Sequence, residues 1–387
     1  MLNIILLGIT SLLADFSSEI ILPILPFFIT SLGGAGIAIG LISGVGDAMA
    51  AILKIVSGYW SDRIRRHKIF IYFGYAFSAF AKFFFPFARN WPDVFIIRTV
   101  ERIGKGTRDA PRDAIVSESI ERARRGWGFG IQRAMDSAGA IIGSIFVFIL
   151  FWYFNLDFRT IFLIAAFIAL FAIIPIIFVK EPTELEKRSP GPRPPIRFSP
   201  ELKKFIVIAT VFALANFSFM FFILKTQVSF SDLGERLSFG LPILLYIFFN
   251  IFDAGFSAFA GSLSDRIGRK KVISMGYALF ALASLGFIFA SNFLWFLILF
   301  AVYGLFKAFI DASQRAFVSD LSEPEIRATA LGVFQASTGL AAIPSGVIAG
   351  IFWNFNKTTP FLYGAVLAFI SVLLLLFMLK EERFKTA

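Results

Sequence analysis

The sequence predicts an all-α integral membrane protein, with twelve transmembrane helices in two pseudo-symmetric six-helix bundles. Three observations predict it. Apolar residues make up 57% of the 387-residue chain and charged residues only 16%, whereas a soluble domain has ~45–50% and ~25%. Twelve apolar runs are each long enough to cross a bilayer, which takes about 20 residues as a helix. The second half of the chain also repeats the charge pattern of the first.

The runs fall at 4–31, 37–60, 69–88, 93–117, 126–153 and 159–179 in the first half. In the second they fall at 204–230, 237–263, 271–290, 293–318, 328–353 and 358–380. The first run has no basic flank and is too long for a cleaved leader, so it reads as a span. It contains "LPILP", where Pro23 and Pro26 interrupt the backbone ladder and permit a bend. Between the sixth and seventh runs lies a proline-rich stretch, which divides the chain into bundle 1–180, linker 181–203 and bundle 204–387.

An even number of spans puts both termini on one side. The breaks on that side hold Arg63, Arg65, Arg66, Lys68, Arg122, Arg124, Arg125, Arg266, Arg269, Lys270, Lys271 and Arg327, with Lys380, Arg383 and Lys385 in the tail. The opposite breaks hold only Arg89, Arg159, Arg236 and Lys357. Basic loops stay cytoplasmic, so both termini are expected inside, in the cytoplasmic membrane. The net charge of +11 is then largely topological, and its scatter over short loops argues against nucleic acid as a partner.

Sliding the second half back by about 202 residues lays Lys307 on Lys105, Asp311 on Asp109, Arg327 on Arg125 and Gly332 on Gly130. With one residue of slippage "GSLSDRIGRKK" (261–271) falls on "GYWSDRIRRHK" (58–68). These two stretches resemble the loop signature of the major facilitator superfamily, and the likeness in architecture extends over nearly the whole chain. Arg65 stands where that signature has glycine. The resemblance implies gating loops at Gly58, Asp62, Arg63, Gly261, Asp265 and Arg266 that steady the outward-open state. Each aspartate would latch against a helix N-terminus, worth about 0.3–1 kcal/mol at the surface. For the remaining loop bases the simpler reading is topology alone.

Charges inside spans are costly, about 2.5–3.5 kcal/mol each on insertion scales, so they face a cavity or a partner. The fourth segment carries Arg98, Glu101, Arg102, Lys105, Arg108, Asp109 and Arg112. At about 100° per residue these lie within roughly 120° of arc, a stripe that cannot face lipid. "RIGKG" (102–106) loosely resembles the family's fourth-span arginine motif, which implies that Arg102 is its membrane-embedded arginine. Asp15 and Glu19 share a face of the first segment, Asp47 and Lys54 a face of the second. Gln132, Arg133 and Asp136 lie in the fifth segment, Asn250 and Asp253 in the eighth, and Lys307, Asp311, Gln314 and Arg315 on one face of the tenth. Proton-coupling candidates are Asp15, Glu19, Glu101 and Asp136. Candidates for the solute cavity are Asp47, Lys54, Arg98, Arg102, Lys105, Arg133, Asn250, Asp253, Lys307 and Asp311. The competing reading is that some are buried pairs holding helices together, such as Asp47 with Lys54 or Glu101 with Arg102 and Arg133.

Gly130, Gly139 and Gly143 follow the glycine spacing of the family's drug/proton antiporters, although Ser144 replaces the expected proline and a later glycine pair is missing. Close helix packing through small residues is the alternative. "GKGT" (104–107) lacks the glycine and strand of a phosphate loop, and cysteine is absent, with His67 the single histidine. No cofactor, metal or enzymatic activity is expected. The expected function is secondary active transport of a small organic solute by alternating access, as a monomer, through proton-coupled export. Proton symport or facilitated uptake of an anionic metabolite is the alternative. A non-transporting membrane sensor or a lipid-moving protein is the alternative of another class.

Overall fold

A computed structural model describes residues 1–121, 124–181, 197–323 and 326–379. The bases expected at Arg122 and in the tail, and most of the linker, lie outside the described residues. Fifteen α-helices make up the described chain: α1 (Leu2–Ile21), α2 (Leu25–Ser31), α3 (Gly36–Ile64), α4 (His67–Lys82), α5 (Trp91–Glu118), α6 (Arg125–Trp152), α7 (Phe158–Phe171), α8 (Ile174–Phe178), α9 (Pro200–Ala215), α10 (Met220–Ser229), α11 (Glu235–Ile267), α12 (Arg269–Phe289), α13 (Phe293–Asp320), α14 (Arg327–Phe355) and α15 (Thr359–Met378).

Eleven of the resulting spans are long and apolar enough to cross a membrane. The twelfth, α5, has the length, 28 residues, but too many charges to qualify. Three spans are each built from two helices. The α1/α2 break follows Pro23, as the proline spacing predicts. Phe171 and Ile174 bound a second break, with Pro175 next to the start of α8. The third break, between Ala215 and Met220, has no proline in it, and nothing in the sequence pattern anticipates it. Helix α9 starts at Pro200, inside the stretch assigned to the linker, with the Ser199 hydroxyl accepting from the Leu202 amide.

Arg65 explains the departure from the loop signature. It sits in the left-handed region at φ 57°, ending α3, and Gly268 ends α11 at the matching place with φ 100°. The turn demands positive φ in both halves, and the first half meets it with an arginine.

The first bundle packs α1 on α6 and α5 between α3 and α4; the second packs α11 and α12 on α13, with α15 against α9 and α12. Aromatic rings fill the second bundle. Phe212 stacks on Tyr277 at 3.7 Å between centroids, and Phe222 lies against Tyr303 at 4.4 Å. Large apolar side chains such as Phe77, Phe289 and Phe377 stand exposed on the perimeter, where a bilayer covers them.

The bundles meet along α3–α14 and α6–α11. At the end away from the termini they are sealed. Backbone meets backbone on the α3–α14 seam: a methyl placed on Gly40 would collide with the Gly346 carbonyl oxygen, and one on Gly36 would lie 2.6 Å from that of Gly350. The Gly36 amide donates to Asn354 Oδ1 at 2.9 Å. On the other seam the Arg236 guanidinium lies over the Trp152 ring, 4.8 Å from its centroid. At the end bearing the termini the halves splay. A methyl on Gly130, Gly255, Gly261 or Gly332 would meet nothing within 4 Å among the described residues.

Candidate functional site

The charged face of α5 turns inward, as its arc requires, and its charges divide into two groups. Arg98 and Glu101 are buried at 7% and 1% exposure and ion-paired to each other one turn apart. Behind them Lys82, also buried, donates to Ser17 Oγ at 2.8 Å and Ser18 Oγ at 2.9 Å of α1. Arg108 covers the Tyr75 ring at 3.9 Å, and the Tyr75 hydroxyl shares a hydrogen bond with Ser11. Arg112 donates to Ser11 Oγ at 3.0 Å and sits 4.0 Å from Asp136; Gln132 donates to Asp136 at 3.3 Å. These groups knit α1, α4, α5 and α6 into one body.

The second group faces the space between the bundles. Arg102 pairs with Asp47 of α3 at 2.6 Å. This corrects the pairings suggested by spacing: Asp47 binds Arg102 and not Lys54, and Glu101 binds Arg98 and not Arg102 or Arg133. A cavity of about 360 Å3 opens here, lined by Asp47 and Lys54 of the first half and by Asp311 and Arg315 of the second. Phe212 and Phe334 supply apolar wall; Asn216, Gln314, Gln335 and Thr338 supply neutral hydrogen-bonding groups. Asn216 stands at the α9/α10 break, so the interruption brings an amide to the cavity wall. Lys307 holds Asp311 from the next turn at 2.5 Å.

On the closed side of the cavity the two halves are joined by polar contacts. Tyr246 of α11 donates its hydroxyl hydrogen to Glu19 Oε2 of α1 at 2.9 Å, and Asn250 Nδ2 donates to the same oxygen at 3.4 Å. Nearer the end bearing the N-terminus, eight residues into α6, Arg133 lies 3.9 Å from Asp253 of α11, so the halves also touch beside the cavity. Asp15 lies one turn before Glu19 on α1, half-buried, and Lys105 is likewise half-buried on α5.

Of the sequence candidates, Asp47, Lys54 and Asp311 line the cavity itself. Arg98, Arg102, Lys105, Arg133, Asn250, Asp253 and Lys307 are not on its lining, nor is the proton-coupling candidate Glu101. Lys82, Tyr246, Asn216 and Gln335 have no counterpart in the sequence reading, whereas Gln314 and Arg315, on the face of Lys307 and Asp311, do line the cavity. Lys82 is a charge within an apolar run, so the rule that found Arg102 could have found it. The stripe Gly36, Gly40, Gly44 is also legible, with four-residue spacing typical of close membrane-helix contact. Gly139 and Gly143 likewise pack on the backbone oxygens of Leu12 and Phe16, and Gly130 has open space.

Among the described residues the loop aspartates pair within their own halves. Asp62 is 3.9 Å from His67 Nδ1, and Asp265 pairs with Arg269 at 2.5 Å. Arg269 also holds Asp320 at 3.2 Å, and His67 Nε2 faces Glu118 at 3.8 Å. Gly58 packs toward Ala110 of α5. Arg63 and Arg266 are exposed. Among the described residues no group of His and carboxylates is arranged to hold a metal ion.

The family model described as Major Facilitator Superfamily matches residues 7–252 and 206–387. An MFS-type transporter of Methanocaldococcus jannaschii, itself uncharacterised, is 46% identical over 376 residues, covering 97% of this chain and 94% of the relative. The class B tetracycline resistance protein of Escherichia coli is 25% identical over 161 residues, 42% of this chain and 39% of that one. Among solved structures, a point mutant of the nucleoside transporter NupG superposes with a TM-score of 0.81 at 18% identity, covering 98% of this chain and 100% of that one. A peptide transporter, POT, bound to sulfate has a TM-score of 0.73 at 14% identity, covering 97% and 93%.

Proposed function

Because this chain belongs to the major facilitator superfamily, and so is a multi-pass membrane protein of secondary transport, we propose that it exports a small organic solute in exchange for protons. The described basic loops, the N-terminus and the end of α15 sit at the splayed end, and the positive-inside rule makes that end cytoplasmic. The arrangement is then inward-open: solute enters the cavity between the bundles from the cytoplasm, and the glycine seam of α3 and α14 closes the outer face. The chain acts as a monomer in the cytoplasmic membrane, with a boundary between the halves in 181–203. The unlatched positions of Asp62 and Asp265 agree with a state in which the cytoplasmic end is open, since their latches belong to the opposite state.

The observation that carries proton coupling is the bond from Tyr246 and Asn250 to Glu19. A titratable carboxylate of one half accepts both donors from the other half, on the closed side. Ionised, Glu19 draws the outer ends together. Protonated, its Oε2 still accepts but without the negative charge that strengthens both bonds, and the contact weakens. A proton taken up from outside thus holds the outer gate open, and its transfer inward ionises Glu19 and lets the gate close. Asp136 and Asp15, within the same bundle, pass the proton onward, while Glu101 serves with Arg98 as a structural pair.

Purified protein in liposomes with an imposed pH gradient tests this. Exchange predicts that solute accumulates on the acidic side, and that Glu19→Gln still moves solute down its own gradient but no longer responds to pH. Flux indifferent to the gradient in the wild-type protein defeats the coupling and leaves the transport assignment intact.

A further inference from the structure

Resting on the transport reading, we propose that the solute is an organic anion with an apolar body, clamped between Lys54 of the first half and Arg315 of the second. Four charged side chains line the cavity, two acidic and two basic. The acids are already satisfied from behind, Asp47 by Arg102 at 2.6 Å and Asp311 by Lys307 at 2.5 Å. Among the described residues neither Lys54 nor Arg315 has a carboxylate within 4.0 Å. Lys54 shares the field of Asp109 with Lys105, Arg108 and Arg112. Arg315 shares that of Asp311 with Lys307 and Arg133. Those bases also act on Asp136 and Asp253, so the charges around the cavity are close to balanced, and Lys54 and Arg315 are the lining cations without a paired carboxylate.

The two cations stand on different bundles, on α3 and α13. Two like charges facing one space favour the splayed arrangement. An anion between them removes that penalty and draws the bundles together at the open end. The charge recognised by the site thereby becomes the signal for closure. Phe212 and Phe334 accept the apolar body, and Gln314 and Gln335 accept or donate to its polar edge.

The probes are 2-naphthoate, its methyl ester and 2-naphthylmethylamine, shapes of one size that carry a negative, zero and positive charge. Binding to the full chain in lipid nanodiscs is measured by titration calorimetry at low and high salt. The wild-type protein is expected to prefer naphthoate, with affinity that falls as salt rises. Lys54→Gln and Arg315→Gln should each weaken naphthoate binding about tenfold or more, and Lys54→Arg should restore most of it. Binding of the ester should change less than about twofold in the same variants. A preference for the amine or the ester, absence of naphthoate binding, or unchanged naphthoate affinity in both Gln variants overturns the proposal. The pH-gradient flux assay is separate: it can fail with naphthoate recognition intact, or succeed with recognition absent.

Discussion

The Tyr246 hydroxyl of the second bundle donates to the Glu19 carboxylate of the first at 2.9 Å, so the outer closure includes a hydrogen bond to an ionisable group. Tyr246→Phe removes that donor and keeps the ring that packs on Phe219 and Phe249. A hydrogen bond to a charged group contributes about 1.5–3 kcal/mol, so the population open at the outer end should rise about tenfold or more. The chain has no cysteine, so single spin labels placed through Ile37→Cys and Leu237→Cys report that end without background. An unchanged distance distribution would remove Tyr246 from the gate.

Gly346→Val addresses the main-chain seam. A side chain here runs into the Gly40 carbonyl oxygen, and neither backbone can yield without separating the helices. The variant should insert and fold, since the clash vanishes when the bundles part, yet be held open at the outer face and lose transport. Label distances shifted to the long-distance population, with normal elution on size exclusion, are the expected result.

The two charge groups on α5 should respond oppositely to truncation. Glu101→Ala leaves Arg98 buried without its partner, which costs about 3–5 kcal/mol and should lower the melting temperature sharply. Arg102→Ala frees Asp47, whose side chain is 55% exposed to the cavity and needs no such partner. Its melting temperature should stay near the wild-type value while transport is abolished. Full activity in Arg102→Ala would take Arg102 out of the site.

At Arg65 the loop is strained. Arg65→Gly relieves a left-handed non-glycine residue and should stabilise the protein by about 1 kcal/mol, read as a rise in thermal midpoint. Arg65→Ala keeps the strain and should give no gain, which separates the backbone effect from loss of the charge.

Much of this architecture was legible because a bilayer punishes exceptions severely. Eleven spans follow from hydropathy, while the fourth follows from its length, and its inward turn from the arc of its charges. Spacing along one helix could not name partners on another. The Asp47–Arg102 bond crosses from α3 to α5, whereas the sequence offered Lys54 on the same face of α3 as the nearer choice. Tyr246 sits in an aromatic-rich run where one hydroxyl leaves no periodic trace. The break before Met220 has no proline to announce it, because it is stabilised by packing of Phe217 against Phe222 and Phe361 rather than by a local breaker. Gln314 shares the charged face of the tenth span, but Asn216 and Gln335 became visible only once distant helices stood side by side.

The polar face of α5 also has a consequence for biogenesis. A segment with seven charges on one side would not leave the insertion machinery for lipid by itself. It needs the Asp47 carboxylate of α3 and the Ser78 and Tyr75 surface of α4 to be waiting, and both are synthesised earlier in the chain. Entry of the fourth span is therefore a cooperative step, completed when its predecessors offer it a partner, and a substitution at Asp47 will show itself first as slow maturation of the nascent chain.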